Sequence, residues 1–261
     1  MKLTLIITTY NSPSYLRLTL ESALLQKVMP DEVIIADDGS GEETRQLIEE
    51  YKRKFPVTLH HVWHPDEGFR LTAIRNKAIA KATGDYIVQI DGDIVMHPLF
   101  ISDHKRNARE GCFVCGSRSF VKKEYSDKAL AEGRFSYSEL FRNSKNRLNA
   151  LRSPLITPLL KHSRENDKIT IRGCNVAYWR DDAMKVNGFN EEFKDWGDED
   201  CEFSVRLCNS GVRKLWLKFS AIEYHIYHKG NSKDGALRNR ELMLATLRNG
   251  VTRVSWGIVK D

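Results

Sequence analysis

Apolar and polar positions alternate between two periods along the first third of the chain. Leu3-Thr4-Leu5-Ile6-Ile7 is a short apolar run that reads as a buried strand, and it ends in the polar cluster Thr8-Thr9-Tyr10-Asn11. Ser12-Pro13 then offers a cap and a proline at the first helical position, with Leu16, Leu20, Ala23 and Leu24 following at helical spacing until Pro30. Val33-Ile34-Ile35-Ala36 predicts a second strand, ending in Asp37-Asp38-Gly39-Ser40. Glu42 to Lys54 reads as a polar-faced helix, Val57 to His61 as a strand and Leu71 to Ala82 as a helix. Tyr86-Ile87-Val88-Gln89-Ile90 is the central strand, and it runs into Asp91-Gly92-Asp93. Strands alternating with helices predict the α/β class, a mostly parallel sheet with right-handed crossovers.

In such sheets ligands bind beyond the carboxyl ends of the strands. Thr8-Thr9-Tyr10, Asp37-Asp38 and Asp91-Gly92-Asp93 all fall there, so the three clusters are expected to line one crevice. In extended backbone, positions i and i+2 point the same way, so Asp91 and Asp93 are expected to share a target, with Gly92 letting the backbone approach it. Two close carboxylates repel unless a divalent cation lies between them, and hard oxygen ligands suit magnesium or manganese. Alone, an Asp-Gly-Asp is more often a solvated acidic turn. The first strand–helix turn has neither G-x-G-x-x-G nor the P-loop pattern, which argues against a dinucleotide fold and an ATPase. A nucleotide would instead stack its base near Tyr10, hydrogen-bond Asp38 and place its phosphates on the metal.

The second half adds Trp196-Gly197-Asp198-Glu199-Asp200, followed by a helical pattern with Phe203 and Leu207 on its apolar side. Acids there suit a helix N-terminus. A carboxylate positioned to accept a hydroxyl proton also speeds attack by ~10²–10⁴-fold. Further on, Glu223-Tyr224-His225-Ile226-Tyr227-His228 carries two histidines at i and i+3, which fall on one side only if the backbone turns. Imidazole among carboxylates moves the metal preference from magnesium toward manganese. Gly230 to Gly235 reads as a flexible loop able to close over a donor, and Arg238 to Asp261 as a charged helix and tail.

Composition narrows the class. With 41% apolar and 10% aromatic residues in 261, the chain reads as folded, and its length fits one large α/β domain or one domain with an appended lobe. Leu3 to Ile7 has no small-residue cleavage site behind it, and no apolar run is long enough for a bilayer, so a cytoplasmic location is expected. The odd count of five cysteines has no disulfide or zinc spacing. Cys112 and Cys115 are expected on opposite faces of a strand, all five thiols buried, and Cys201 and Cys208 on one helical face. The net charge of +6 is concentrated: residues 118 to 168 hold twelve Lys/Arg against six Asp/Glu, a surplus of six. Interleaved with Leu140, Phe141, Leu148, Leu151, Leu155, Ile156, Leu159 and Leu160, this stretch suits an anionic membrane surface or an anionic acceptor. A solvated insertion with its own apolar face fits as well. No nucleic-acid fold or motif accompanies the charge.

Taken together, Thr8-Thr9-Tyr10-Asn11, Asp37-Asp38-Gly39-Ser40, Arg75-Asn76, Ala82-Thr83-Gly84-Asp85 and Asp91-Gly92-Asp93 resemble a family 2 glycosyltransferase of the GT-A fold, over roughly the first 110 residues. The resemblance implies an inverting enzyme using a nucleotide sugar. Thr8, Tyr10 and Asp38 would hold the uracil end of a UDP-sugar, Arg70 and Arg75 would serve the donor and its diphosphate, Asp91 the ribose or metal, and Asp93 the metal. Gly173 to Ala177 is similar to the strand preceding the acceptor-site helix of this fold. Trp196-Gly197-Asp198-Glu199-Asp200 is similar to the Trp-Gly-x-Glu-Asp motif of β-1,4-galactosyltransferases and bacterial chondroitin-type polymerases, although Asp195 stands where a glycine is usual. That similarity makes Asp200 the general base, Glu199 an acceptor hydroxyl partner, Trp196 a platform for a sugar ring and Asp198 an acceptor contact. The galactosyltransferases bind manganese through Met and His at the spacing of His225 and His228, so His228 is the better ligand and His225 stands where the Met would be. The expected layout is a donor half over 1–110 and an acceptor-binding, catalytic half over 111–261, with a basic insertion at about 118–168. The acceptor would be a saccharide or lipid-linked saccharide at the inner membrane face. Two other classes stay open. A nucleotidyltransferase would release pyrophosphate from a nucleoside triphosphate, and a non-catalytic nucleotide-sugar module would bind donor without releasing UDP.

Overall fold

The computed structural model describes residues 1–230 and 235–260. In chain order the elements are β1 Leu3–Thr9, α1 Pro13–Leu24, β2 Glu32–Asp37, α2 Glu42–Lys52, β3 Thr58–Trp63, α3 Leu71–Lys81, β4 Tyr86–Asp91, β5 Ile94–Met96 and α4 Phe100–Asn107. There follow β6 Cys112–Cys115, β7 Ser117–Phe120, α5 Lys123–Glu132, α6 Tyr137–Arg142, α7 Thr157–Leu160, β8 Asn175–Trp179, α8 Arg180–Lys185, α9 Glu199–Asn209, β9 Arg213–Trp216, β10 Ile222–His225 and α10 Ala236–Arg248. A 3₁₀ turn, Arg147–Ala150, lies between α6 and α7.

A seven-stranded sheet runs in the order β3-β2-β1-β4-β8-β6-β9, and a three-stranded sheet in the order β5-β10-β7. The large sheet is mostly parallel, as the alternating pattern predicts, but β8 enters antiparallel between β4 and β6. β1 and β2 are buried along their whole length, which is why they read as continuous apolar runs and not as alternating ones. Leu3, Leu5 and Ile7 pack under α1 and α2, while Ile6 faces α3, α8 and α9 on the other side. Cys112 and Cys115 fall in those two separate cores, so their sulfurs do lie on opposite faces. Cys174 is also buried, and Cys201 and Cys208, seven positions apart on α9, share a helical face as expected but are only half-buried. Ser12 does not cap α1, because its hydroxyl donates back to the Tyr10 carbonyl at 2.9 Å.

The basic stretch builds a third core. Val121, Tyr125, Ala129, Leu140 and Ala150 pack against Val95, Ile222, Tyr224 and Ile226 of the small sheet. Some of its other apolar residues stay outside: Leu155 is 84% exposed, Leu159 81% and Leu148 66%. No described helix is long and apolar enough to cross a membrane.

Two polar devices fix the C-terminal half, one to α3 and one within itself. The Asn76 amide on α3 donates to the Phe189 carbonyl at 2.8 Å, and its Oδ1 accepts the Phe189 N–H at 2.7 Å. Arg206 and Glu202, both fully buried on α9, form two bonds of 2.8 Å, with Arg206 also donating to the Val186 carbonyl and Thr246 of α10 donating to Glu202. Removing one partner of such a pair strands a charge in the interior. Glu202→Ala is therefore expected to lower unfolding free energy by about 3–5 kcal/mol in urea titration. Replacing both residues by apolar ones is expected to cost less.

Candidate active site

Strand register gathers the first group of side chains. The parallel pairing of β1 with β4 and β2 sets Thr8 beside Asp91 and Thr9 beside Asp37. The Thr8 hydroxyl donates to Asp91 Oδ1 at 2.8 Å. Asp38, just past β2, takes His64 Nε2 at 2.6 Å on one oxygen and the Arg70 N–H at 3.0 Å on the other. Burial pushes the Asp38 carboxyl up, against the pull of His64. Tyr10 is exposed and donates its hydroxyl to Asp66 at 2.8 Å, a bond that raises the phenol's pKa. Arg70, expected as a donor contact, reaches this group only through its main chain, since its guanidinium pairs with Glu67 and does not line the cavity.

The Asp91 and Asp93 side chains line the same cavity but turn to different partners. β4 stops at Asp91 and Gly92-Asp93 form a turn, so the same-side rule of extended backbone ends one residue too early. Gly92 is needed for the neighbouring strand instead of a ligand, because a Cβ there would sit 2.8 Å from the Thr8 carbonyl. Asp91 turns to Arg75, whose guanidinium lies 3.3 Å from Asp91 and 3.1 Å from Glu199 and stacks over the Phe189 ring. Arg75 is only 2% exposed. Burial disfavours its charge, and Asp91 and Glu199 more than offset this. Glu199, also buried, accepts the Gly197 N–H as well, so each of its oxygens has one partner. Burial and neighbouring Asp200 raise its pKa.

Asp93 turns the other way. His228 Nε2 lies 3.0 Å and His225 Nε2 3.7 Å from its Oδ2, and the three ligand atoms lie within 4.8 Å of one another. β10 ends at His225, and the bend that follows brings His228 to the same side. Asp93 Oδ1 is buried without a hydrogen-bond partner among the described residues, the mark of a group that suits a cation. Burial pushes the Asp93 carboxyl up, but the two imidazoles outweigh it and hold it below its ordinary value. The bond to Asp93 lifts His228 to about 9. One carboxylate and two imidazoles fit a divalent first-row metal better than they fit magnesium.

The Trp-Gly-Asp-Glu-Asp loop faces this group across a cavity of about 1030 Å³. Gly197 (φ 115°) and Asp198 (φ 61°) are both left-handed, which swings the chain so that α9 starts at Glu199. Asp200 Oδ2 accepts the Gly173 N–H at 2.8 Å, and Oδ1 accepts the Cys201 N–H at 2.8 Å. A side chain at Gly173 would lie 2.7 Å from the Asp200 carboxylate, so only glycine lets this carboxylate seat there. Trp196 is 43% exposed on the cavity wall, and Asp198 pairs with Arg240 at 3.2 Å. Asp195 carries the loop by its carbonyl, which accepts from Asn239 of α10 at 2.8 Å. The loop expected to close over the donor lies mostly outside the described residues, at Asn231 to Asp234. Lys229, Gly235 and Ala236 on either side of it line the cavity.

Three comparisons place this arrangement among known proteins. The glycosyl transferase family 2 model matches residues 4–186. The chain belongs to glycosyl transferase family 2. A second model, described as the N-terminal domain of galactosyltransferase, matches residues 159–229, the stretch with Gly173, the Trp196 loop and both histidines. Chondroitin synthase of Escherichia coli is 27% identical over 85% of this chain, which spans only 34% of that protein. Among solved structures, S. aureus TarS 1-349 in complex with UDP-GlcNAc superposes with a TM-score of 0.68 at 21% identity, over 94% of this chain and 66% of that one. The mannosyltransferase PcManGT of Pyrobaculum calidifontis in complex with GDP-Man and Mn2+ gives a TM-score of 0.61 at 18% identity, over 93% of this chain and 61% of that one. The chain is a family 2 glycosyltransferase domain with the GT-A fold.

Several residues of this family 2 site were not among those expected from sequence. Gly173 seats Asp200, and His64 braces Asp38 with Lys77 Nζ 3.3 Å from its other nitrogen. Cys174 donates its thiol to buried Glu223 at 3.0 Å, and burial pushes that carboxyl up to about 8. Arg118 and Arg172 complete the same wall. Only Gly173-Cys174 carried a signal, as the start of a strand.

A metal must displace the proton that Asp93 helps His228 to keep. Manganese binding at pH 7 is therefore expected to release close to one proton, seen as a dependence of the calorimetric enthalpy on buffer ionisation. His228→Ala is expected to abolish that release.

Proposed function

We propose that this domain is an inverting, metal-dependent transferase that moves a hexose from a UDP-sugar to a hydroxyl of a saccharide acceptor. One observation supports this above the rest: the Asp200 carboxylate, oriented by the Gly173 N–H, opens into the same cavity as the Asp93-His225-His228 cluster. A base on one side and a diphosphate anchor on the other are what single displacement requires.

In this reading Thr8, Tyr10 and Asp38 hold the uridine, Arg75 and Asp91 border the ribose and diphosphate, and Asp93, His228 and His225 hold the cation. Manganese bound there would neutralise the charge developing on the departing diphosphate. Trp196 offers its exposed face to the acceptor ring, with Asp198 beside it. Asp200 takes the proton of the acceptor hydroxyl as its oxygen bonds to the anomeric carbon and the bond to UDP breaks on the opposite face. Glu199, on the wall of the same cavity, accepts from an acceptor hydroxyl with a lone pair that Arg75 and Gly197 leave. Residues 1–110 serve the donor and 111–261 the acceptor. The polysaccharide synthase among the relatives supports a role in cell-surface polysaccharide or lipopolysaccharide synthesis, and the exposed Leu148, Leu155 and Leu159 beside basic residues support peripheral contact with the inner face of the cytoplasmic membrane.

Calorimetry with UDP tests the donor site. Binding is expected to need manganese, to vanish with chelator and to be lost in Asp93→Ala; binding indifferent to all three would reject the metal site. Asp200→Asn is expected to keep UDP affinity while lowering turnover at least 10²-fold. Unchanged turnover would leave a nucleotide-sugar-binding module. For the membrane contact, Leu155→Ser with Leu159→Ser is expected to reduce co-sedimentation with vesicles rich in anionic lipid, and wild type that fails to sediment would refute it.

A further inference from the structure

Most arginines in the interior of this domain have a carboxylate. Arg75 pairs with Asp91 and Glu199, Arg152 with Asp103, and Arg206 with Glu202. Arg118 and Arg172 differ. Both are half-buried, both line the cavity, and among the described residues neither makes an ion pair. Arg118 donates Nη1 to the Cys174 sulfur at 3.3 Å and lies over the Phe120 ring at 4.6 Å, while its Nε is buried with no partner. Arg172 donates Nη1 to the Gly116 carbonyl at 2.7 Å. Burial and the neighbouring Arg118 guanidinium both hold Arg172 below its ordinary pKa. Glu223, the buried carboxyl on this wall, is turned to the Cys174 thiol.

The charge continues outward. Trp216 is held between Arg172 at 4.4 Å and exposed Arg164 at 4.5 Å, so one indole fixes the spacing of two guanidiniums. Arg172 also directly precedes Gly173, whose N–H holds Asp200. The row therefore begins beside the proposed base and runs from the cavity wall to the surface. The carboxyl that acts on both guanidiniums, Glu223, is pushed up to about 8 by burial and so offers them little charge at pH 7. A planar guanidinium with free N–H groups matches an oxyanion in two-point geometry.

We infer that Arg118, Arg172 and Arg164 form a track for an anionic acceptor saccharide, one carrying a carboxylate or phosphate group next to the hydroxyl presented to Asp200. This deepens the acceptor side of the proposed function and rests on that reading. A hexuronate carboxylate and a phosphodiester offer the same oxyanion chemistry, so both are probed.

The test is calorimetric binding, to the chain with UDP and manganese present, of a hexuronate-containing oligosaccharide, its carboxyl-reduced counterpart and an oligo(glycerol phosphate). At least one anionic probe is expected to bind, and whichever does names the group. The carboxyl-reduced sugar is expected to bind at least tenfold more weakly than a hexuronate ligand. Arg172→Gln and Arg118→Gln are each expected to weaken the anionic probe at least tenfold and to leave UDP affinity within twofold, which also reports that the variants fold. The inference is overturned if neither anionic probe binds wild type that binds UDP, or if the neutral sugar binds as well as the charged one. A loss of UDP affinity in the variants matching the loss of probe would also overturn it, by assigning the arginines to the donor diphosphate. Failure of the donor reading looks different: UDP binding would ignore manganese and Asp93→Ala, whatever the oligosaccharides do.

Discussion

The buried guanidinium of Arg75 is the contact on which the site depends. It stands on α3 between a carboxylate at the tip of β4 and a carboxylate at the first position of α9, with an aromatic ring on its face. Arg75 and Glu199 are both buried, and breaking a buried pair of this kind costs about 3–5 kcal/mol, while Asp91 keeps a third of its side chain in solvent. The cost makes the strand tip and the helix start a single rigid piece. Asp200 follows Glu199 directly, so its distance from the strand tips is set by a charge balance two side chains away. The Asn76 clamp on Phe189, next along α3, holds the intervening loop in the same register.

The donor half of the fold was legible because its strands are buried on both faces. β1, β2 and β4 read as unbroken apolar runs ending in polar clusters, and the rule that ligands sit at carboxyl ends turned those clusters into one crevice. The same reasoning failed at Asp91 and Asp93, where it extended strand geometry across a turn. It also missed the antiparallel entry of β8, because Asn175 to Trp179 carries no mark of direction. Gly173, Arg118 and Arg172 escaped for a different reason. Their roles come from residues distant in the chain, and a glycine or a single arginine has no pattern of its own.

The basic stretch shows the limit of composition. Its charge surplus and its leucines were plain in the sequence, but not which leucines would be covered. Leu140 is buried against the small sheet while Leu155 and Leu159, in a similar local setting, stand in solvent. The helices there run ten, six and four residues, too short for periodicity to define an inner face. Tertiary contact with β10 decides the outcome.

The position of β8 has a consequence for how this chain is made. β4 bonds to β1 on one side and to β8 on the other, so one row of its N–H and C=O groups has no partner until Asn175–Trp179 has been synthesised. Everything from β5 to α7 comes off the ribosome first, and at ~5–20 residues per second that is a delay of seconds. Throughout it a strand that is buried in the finished sheet presents a bare edge, the surface most prone to pairing with another chain. The strand that leads out of Gly173-Cys174 on the cavity wall is thus also the one that covers this edge.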